Sequence, residues 1–346
     1  MSALGVAVVG CGDWGLNLVR NFEQAPGCEL RWVVDIDSQR SARAGRSCTV
    51  GDTESLDDVL DDPQVAAVAI ATPPQSHFQL ASRCLEAGRH VLVEKPMACS
   101  VLDGEQLTTT AREQGLVLMC DHTYCYAPTA TQLRELVQRG DLGVVQHVES
   151  TRLSAGKVQS EVDVFWDLAA HDLALLDYIL GSDTRIDEMT AHGSDPNNAG
   201  QACAGHLEAR LSSGCRARVH VSWLSQVKVR RFTVAGTRAV AVWDDLRPEA
   251  RLVLHEANDD PFSEAALART PRSAELVSSE QLPLEEPLRD VVREFIACAA
   301  GRRQPRTDGD AALRVLHGLT AVSRSLALGG ATVPAGTHEP EPSTST

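Results

Sequence analysis

The chain has 346 residues and a formal net charge of −15. This length suggests about two domains that each bury a core, whereas the negative charge argues against a nucleic-acid partner and against an anionic membrane surface. No apolar run approaches the roughly 20 residues of a membrane span, and no basic segment followed by an apolar stretch opens the sequence, so we expect a cytoplasmic protein.

The first third of the chain alternates between short apolar runs and amphipathic segments. Continuous apolar runs of this length are typical of strands that are buried on both faces of a parallel sheet. The predicted strands are Val6–Val9, Leu30–Asp35, Val65–Ala71, His90–Glu94 and Leu116–Cys120. The segments between them predict helices, for example at Ser38–Arg46, His77–Ala87 (with Ser76 as its cap) and Cys99–Gln114. This βαβ rhythm indicates a doubly wound Rossmann domain, which we place at residues 1–121.

The turn after the first predicted strand reads Gly10-Cys11-Gly12-Asp13-Trp14-Gly15. In a Gly-x-Gly-x-x-Gly turn the first glycine allows the tight turn and the second lets a pyrophosphate approach the backbone. The third lets the following helix pack closely on its strand. The start of that helix offers free N–H groups to phosphates. The sequence therefore predicts that a dinucleotide binds at Gly10–Gly15.

Asp35 ends the second predicted strand, twenty residues after Gly15. A carboxylate at this spacing holds the ribose hydroxyls of the cofactor, and it repels the 2′-phosphate of NADP. Asp37 adds to that repulsion, although Arg40 and Arg43 lie close enough to weaken it. The sequence therefore favours NAD over NADP.

The pattern changes after Cys120. A helix at Thr129–Arg139 is followed by long alternating segments with few helices between them, which is typical of an antiparallel sheet. The predicted strands are Val144–Leu153, Met189–Gly193, Ala202–Leu211, Cys215–Leu224, Val227–Ala235 and Ala239–Trp243. The predicted helices are Asp167–Leu180, Pro287–Ala300 and Asp310–Leu328. We therefore expect an α+β domain with a large, mostly antiparallel open sheet at residues 122–333, and a disordered tail rich in Pro, Glu, Ser and Thr at 334–346.

The cysteines of the chain are scattered, without a Cys-x-x-Cys pair. This distribution is typical of reduced core residues in a cytosolic protein. Cys120, His122 and Cys125 lie close together in the sequence, but their spacing fits no zinc pattern, and His122 is read as a structural histidine. We expect no metal.

Ligands of an open parallel sheet bind at the carboxyl ends of its strands. Two further segments end strands at this edge: Thr72-Pro73-Pro74 and Glu94-Lys95-Pro96. A lysine here can donate hydrogen bonds to a substrate hydroxyl and help to move its proton, although a surface lysine before a turn proline is an equally good reading of Lys95 alone.

Asp167 and His171 lie four residues apart at the start of a predicted helix, so they share one face of it. A carboxylate beside a histidine orients the ring and raises its proton affinity, which makes a proton-transfer unit. An ordinary ion pair at a helix start is the alternative, and Asp172 is assigned to a structural contact.

These segments together resemble the Gfo/Idh/MocA oxidoreductase family. The matching residues are Gly10–Gly15, Val34–Asp35, Ala71–Pro74 with His77, Ala87–Pro96, and Asp167 with His171. The resemblance extends from residue 4 to about 330, and its most specific part is Glu94-Lys95-Pro96.

The resemblance implies a nicotinamide domain, an α+β substrate domain and hydride transfer at a sugar or cyclitol carbon. It makes Lys95 the substrate-positioning and proton-relay residue, Asp167 a substrate-binding residue and His171 the acid/base. The residues expected to bind the cofactor are Gly10, Gly12, Asp13, Trp14, Gly15, Asp35, Thr72, Pro73, His77, Glu94 and Lys95.

Within the family, the segments at Trp14–Phe22 and Gly156–Val162 are similar to those of members that act on nucleotide-activated sugars in biosynthesis. Lys157 would reach a diphosphate, and Tyr124 and Tyr126 are candidates for substrate contact, with buried packing as the alternative. Such relatives often carry Asn where this chain has Asp167. Lys228 and Arg230 share a strand face and are read as a solvated sheet surface.

The sequence is also compatible with three other functions: a free sugar or inositol dehydrogenase, an NAD-dependent glycosidase, and a non-enzymatic NAD-binding sensor. The presence of Lys95, Asp167 and His171 favours an enzyme. The second domain would leave a broad sheet face bare in a monomer, and an exposed apolar sheet is usually covered, so we expect a homodimer or homotetramer.

Overall fold

The computed structural model describes residues 3–48, 50–156, 158–256, 275–276, 286–301 and 303–336. The chain divides into two compact units. The first comprises Met1–Glu135, Leu173–Ile179 and Glu280–Leu316, and the second comprises Leu136–Asp172, Leu180–Ser279 and His317–Thr346. The domain boundaries at residues 121 and 333 stay a prediction. Each compact unit is built from three separate stretches of the chain, so the units do not correspond to single sequence ranges.

The first unit contains a six-stranded parallel sheet in the order β3-β2-β1-β4-β5-β6. The strands are β1 (Leu4–Val9), β2 (Cys28–Val34), β3 (Gly51–Thr53), β4 (Ala67–Ile70), β5 (His90–Glu94) and β6 (Leu118–Asp121). The continuous apolar runs explain this arrangement, since every residue of β4 is buried. The predicted Rossmann fold is confirmed.

Helices surround this sheet within the first unit. They are α1 (Asp13–Gln24), α2 (Ser38–Cys48), α3 (Leu56–Asp61), α4 (His77–Glu86), α5 (Val101–Glu113) and α8 (Pro287–Gly301). The late helix α8 returns to the first helix, where the rings of Phe22 and Phe295 meet edge to face with centroids 6.2 Å apart. Three helices have residues in both units: α6 (Pro128–Gln138), α7 (Ala170–Leu180) and α9 (Gly309–Ala327).

The second unit contains a nine-stranded sheet in the order β14-β13-β12-β11-β7-β10-β9-β8-β15. Its neighbours are antiparallel except for the parallel pair β7 and β10, which confirms the predicted large, mostly antiparallel sheet. The strands are β7 (Val145–Ala155), β8 (Ile186–Ser194), β9 (Ala204–Leu211), β10 (Arg216–Ser222), β11 (Leu224–Gly236), β12 (Ala239–Asp244), β13 (Leu252–Glu256), β14 (Glu275–Leu276) and β15 (Val333–Pro334).

The two faces of this sheet differ in polarity. Along β10, exposed residues alternate with buried Ala217, Val219 and Val221. On the exposed face Glu208 bonds both Arg216 and Arg218, at 2.8 and 3.0 Å. The bare face that we expected to be apolar is therefore polar over β9 and β10, because the alternating pattern places charged side chains there.

Several elements differ from the predicted ones. The short amphipathic segment Thr53–Leu60 predicts a helix with Thr53 or Ser55 as its cap. The structure places Thr53 at the end of β3 and Ser55 at the N-cap of α3, where its hydroxyl accepts the Asp57 N–H. Strands β13 to β15 were not predicted. Pro334, assigned to the tail, pairs with Glu188 in β8, whereas residues 337–346 of that tail lie outside the described residues.

Three further observations bear on the predicted class of protein. No helix within the described ranges is long and apolar enough to cross a membrane. Among the same residues, no three His, Cys, Asp or Glu side chains are grouped as metal ligands would be. The nine cysteines whose side chains are described are free thiols, and all of them except Cys28 and Cys99 are buried.

Candidate functional site

The glycine loop of the first unit has the geometry that its sequence predicts. Gly10 has a φ of +94°, and a Cβ there would lie 2.5 Å from the Ala71 carbonyl oxygen. A Cβ on Gly15 would lie 1.8 Å from the Gly10 carbonyl oxygen, so α1 packs directly on the loop. Gly12 occupies the N-cap position of α1 without a capping side chain, and a Cβ on it would meet nothing within 4 Å. The loop thus leaves open space beside the first amides of the helix, which fits a pyrophosphate.

Asp35 lies against this loop. One of its carboxylate oxygens accepts the Cys11 N–H at 2.7 Å and the other accepts the Asp37 N–H at 2.9 Å. The residue is only 7% exposed. The carboxylate is therefore fixed in place, with lone pairs left for further donors such as ribose hydroxyls.

The His77 ring links two of the predicted segments, Thr72-Pro73-Pro74 and Glu94-Lys95-Pro96. Its Nδ1 lies 2.8 Å from the Pro96 carbonyl oxygen and its Nε2 lies 2.8 Å from the Thr72 carbonyl oxygen. The ring is fully buried, and this burial lowers the pKa of His77. Burial favours the neutral ring, which can donate to only one of the two carbonyls. Hydrogen bonds to the carbonyls favour the charged ring, so the two effects on the pKa oppose each other.

The loop that leads to His77 is held by hydrogen bonds of the Ser76 hydroxyl within the loop. The Ser76 hydroxyl, predicted to cap α4, instead lies 2.7 Å from both Thr72 Oγ1 and the Pro73 carbonyl oxygen. Its oxygen is engaged before α4 begins, so α4 has no side-chain cap. Pro73 is exposed and Thr72 is half-buried.

Lys95 follows directly on β5, half-buried at the carboxyl end of the strand. The Lys95 N–H donates to a Glu94 carboxyl oxygen at 2.8 Å, and the Lys95–Pro96 peptide bond is cis. Burial, followed by the charge of Asp121, raises the pKa of Glu94 well above its usual value.

Two side chains that the sequence reading did not select lie beside Lys95. The carboxyl of Asp121, at the end of β6, lies opposite Glu94 in the sheet register and accepts from Trp14 Nε1 at 3.2 Å and Thr123 Oγ1 at 2.7 Å. His122 is 2% exposed, and neither of its ring nitrogens has a hydrogen-bond partner among the described residues. An acid at the end of a buried strand was the signal that could have identified Asp121.

In the second unit, Asp167 lies in a π-helical turn, Phe165–Ala169, rather than in the regular helix that we predicted. The Ala170 amide donates to the Phe165 carbonyl five residues earlier, so the four-residue spacing from Asp167 to His171 spans a change of helix type. Asp163 bonds the first amides of the turn, and Trp223 Nε1 donates to Asp167 Oδ2 at 2.9 Å. Asp167 is thus fixed by a buried indole.

Asp172 has the structural contact that the sequence reading assigned to it. It is fully buried, and Arg152 Nη2 and Ser150 Oγ donate to its Oδ1 at 2.9 and 2.8 Å. These bonds tie the residue after His171 to β7.

The remaining candidates fall into three groups. Tyr124 is half-buried, whereas Tyr126 is buried with its hydroxyl 3.0 Å from Thr307 Oγ1, which matches the packing alternative. Arg230 and its neighbour Arg231 pair with aspartates, as expected of a solvated sheet surface. Lys157 lies outside the described residues.

A parallel Rossmann sheet, an open glycine loop and a fixed acidic residue at the end of β2 define a dinucleotide-binding protein. Residues 4–122 match the family model described as "Oxidoreductase family, NAD-binding Rossmann fold", and residues 130–242 match the "GFO/IDH/MocA C-terminal domain". The chain belongs to the Gfo/Idh/MocA oxidoreductases, which confirms the predicted family and its NAD-binding domain.

The curated relatives include two enzymes of nucleotide-activated sugars. The dTDP-3,4-didehydro-2,6-dideoxy-alpha-D-glucose 3-reductase of Streptomyces violaceoruber is 30% identical over 53% of this chain, and the match spans 56% of that enzyme. The UDP-N-acetylglucosamine 3-dehydrogenase of Acidithiobacillus ferrooxidans is 26% identical over 89% of this chain and 93% of its own.

Solved structures agree with these matches over nearly the whole chain. The structure of the Acidithiobacillus enzyme has a TM-score of 0.81 at 25% identity, covering 94% of this chain and 98% of its own. GenD2 from gentamicin A biosynthesis, in complex with NAD, has a TM-score of 0.83 at 26% identity and covers 97% of both chains.

Proposed function

We propose that this protein is an NAD(H)-dependent oxidoreductase that acts on a ring carbon of a nucleotide-activated sugar in a biosynthetic pathway. Family membership and the named activities of the relatives support the reaction class and the substrate class. The observation that carries the enzymatic proposal is Lys95, an ionisable side chain at the carboxyl end of β5, the edge where Rossmann proteins bind ligands.

The residues around the glycine loop fit NAD. The amides that begin α1, at Gly12, Asp13 and Trp14, would bind the pyrophosphate, and Asp35 would accept the ribose hydroxyls. Thr72, Pro73 and Glu94 would line the nicotinamide side, whereas His77 would act from between the Thr72 and Pro96 carbonyls, donating to one of them. Bound NAD(H) supplies or accepts the hydride.

The preference for NAD follows from the environment of Asp35. A 2′-phosphate would approach a buried carboxylate that already holds two backbone amides. Arg40, the first arginine after Asp35, lies 3.5 Å from Asp37 and is thereby partly neutralised. NADP would therefore bind more weakly than NAD.

The protons of the reaction are assigned to side chains of the chain itself. Lys95 would donate a hydrogen bond to the reacting hydroxyl or carbonyl, and His171 would take or return the hydroxyl proton. Asp167, fixed by Trp223, would accept hydrogen bonds from the sugar. Tyr124 and Lys157 are proposed as further substrate contacts.

A panel assay tests this proposal. The purified protein is mixed with NAD or NADH and, in turn, UDP- and dTDP-linked sugars, free sugars and inositols, while the nicotinamide absorbance is followed. Turnover with a nucleotide sugar, abolished by Lys95→Met, is the expected result. Turnover only with a free sugar or inositol would reassign the substrate. NAD binding without turnover on any compound would support the sensor reading instead.

We also propose that the protein is a cytoplasmic homodimer or homotetramer. Free thiols at the described cysteines support a reducing compartment. The proposed assembly rests on the breadth of the nine-stranded sheet alone, because the exposed face of β9 and β10 is polar. Sedimentation at micromolar concentration is expected to show a dimer or larger species, and a monomer alone would overturn this part.

A further inference from the structure

The π-helical turn Phe165–Ala169 is held by contacts with the rest of the second unit. Before the turn, the Asp167 N–H donates to the Asp163 carbonyl four residues earlier at 3.0 Å, whereas the Ala170 N–H reaches the Phe165 carbonyl five residues earlier. Single turns of this kind are rare within helices and are found frequently at functional sites. Because the wider turn is a less favourable backbone arrangement than the α-helix, contacts outside the turn are needed to keep it in place.

The first two residues of the turn are fixed to the surrounding elements. Gly193 in β8 and Gly205 in β9 are cross-strand partners, and Cβ atoms on them would lie 3.5 and 2.5 Å from the ring of Phe165. This glycine pair therefore leaves the space that the fully buried ring occupies. The next residue, Trp166, donates from Nε1 to Ser323 Oγ in α9 at 2.9 Å.

Asp163 determines how the turn begins. Its Oδ1 accepts the N–H groups of Phe165 at 2.9 Å and Trp166 at 3.0 Å, which is the geometry of an N-cap residue. The residue between them, Val164, donates its N–H to the Ala202 carbonyl at 3.0 Å. The first amides of a helix have no partner within the helix, so the Asp163 carboxylate supplies the acceptor that fixes the start of the turn.

The partner of Asp167 is fixed independently of the turn. Trp223 is only 3% exposed, its N–H donates to the Cys203 carbonyl at 3.0 Å, and its carbonyl accepts the Gly156 N–H at 2.9 Å. Its indole N–H can only donate, and Asp167 Oδ2 accepts it at 2.9 Å. The donor is thus held by the sheet and the acceptor by the turn, so the bond forms only when the turn places Asp167 correctly.

We propose that Asp163 is a positioning residue of the candidate site: by capping the π-helical turn it sets the place at which Asp167 meets the indole of Trp223, and thereby where the Asp167 carboxylate receives the substrate. The last step rests on the proposed function, because it takes Asp167 as the residue that accepts hydrogen bonds from the sugar. Asp172 holds the far end of the same segment through Arg152.

The effect on Trp223 can be observed without any substrate. The full chain, which has five tryptophans, is labelled with ¹⁵N-tryptophan, and the indole signal of Trp223 is identified by its absence in Trp223→Phe. In Asp163→Ala this signal should move upfield, towards the position of an indole without an acceptor. In Asp163→Asn it should stay in place, because the amide oxygen caps a helix as well as a carboxylate does.

Asp195→Ala is the matched control. Asp195 is half-buried like Asp163 and accepts two backbone amides, of Ala199 and Gly200, in the loop between β8 and β9. This variant should leave the Trp223 signal in place. Asp163→Glu replaces Asp163→Ala where the alanine variant does not fold, because the extra methylene displaces the acceptor and should move the signal in the same direction. An unmoved Trp223 signal in the folded variant would overturn the positioning role.

The effect on the substrate is measured in the panel assay. Asp163→Ala should raise the KM for the nucleotide sugar by about tenfold or more and leave the NAD affinity unchanged, whereas Asp163→Asn should have the KM of the wild type. An equal rise in Asp195→Ala, or a rise that asparagine does not rescue, would overturn the role in substrate binding. A wild type without turnover on any compound would count against the proposed function, and the Trp223 signal would then decide on the positioning role.

Discussion

His122→Phe should reduce the acid sensitivity of the fold. Burial lowers the pKa of His122 from 6.5 to about 3, with a further contribution from Lys95, and neither ring nitrogen has a partner among the described residues. As the pH falls below 6.5, His122 takes up a proton in the unfolded chain while it stays neutral in the native protein, and this favours unfolding. Its contribution to stability is fully present above pH 6.5 and is lost as the pH falls from 6.5 towards 3.

The size of the effect follows from the two pKa values. A difference of about 3.5 units corresponds to an upper bound of about 5 kcal/mol for full acidification. On acidification from about pH 7.5 to about pH 4.5, protonation of His122 in the unfolded chain lowers the free energy of unfolding by about 3 kcal/mol. Phenylalanine has a planar ring one atom larger than imidazole and no titratable nitrogen, and its introduction breaks no hydrogen bond recorded for the imidazole.

Guanidinium unfolding at these two pH values measures the difference. The wild type should lose about 3 kcal/mol more stability on acidification than His122→Phe. The control His220→Phe replaces an exposed histidine and should follow the wild type. Equal losses in the wild type and His122→Phe would refute the reasoning, because they would mean that His122 is not held neutral by its burial.

Three further predictions concern single contacts. Gly12→Ala should weaken NAD binding and leave stability unchanged, because its Cβ points into open space. Gly15→Ala should lower the unfolding free energy by about 1–3 kcal/mol, because its Cβ clashes with the loop. Calorimetry measures NAD binding and thermal unfolding measures stability, and equal stability losses in the two variants would contradict this division. Arg152→Met should destabilise the protein by about 3–5 kcal/mol in chemical denaturation, because it leaves a buried carboxylate uncompensated, and a neutral effect would show that this charge is not held by the arginine. Trp223→Phe should raise the KM for the sugar by about tenfold or more through the loss of the bond to Asp167. It should leave the NAD affinity unchanged, and a change in NAD affinity alone would contradict the assigned role.

Much of the fold could be predicted because local patterns and packing agree. The apolar run at β4 is buried on every residue, and the glycines of the loop have the conformations and contacts that their spacing implies. Short elements such as β3 were missed because three residues carry no periodic signal. The polar face of β10 was missed because the expectation of an apolar surface considered sheet area and not the alternation of side chains.

The site was predicted less completely than the fold. Glu94 and Lys95 were identifiable because they follow an apolar strand, but their pairing with Asp121 depends on the order of β5 and β6 in the sheet. The π-helical turn at Asp167 has no signature in sequence spacing, because it arises from a shift of backbone hydrogen bonds. Contacts between residues distant in sequence, such as Trp223 with Asp167, could not be derived from periodicity.

Isotope transfer tests the central claim most directly. The protein is incubated with NADH carrying deuterium at nicotinamide C4 and with the keto form of a nucleotide sugar identified in the panel assay, and the product is examined by mass spectrometry and NMR. We predict one deuterium on a ring carbon of the sugar, and loss of this incorporation in Lys95→Met with retained NADH binding. Bound NADH that transfers no deuterium to any sugar of the panel would contradict the proposed oxidoreductase activity.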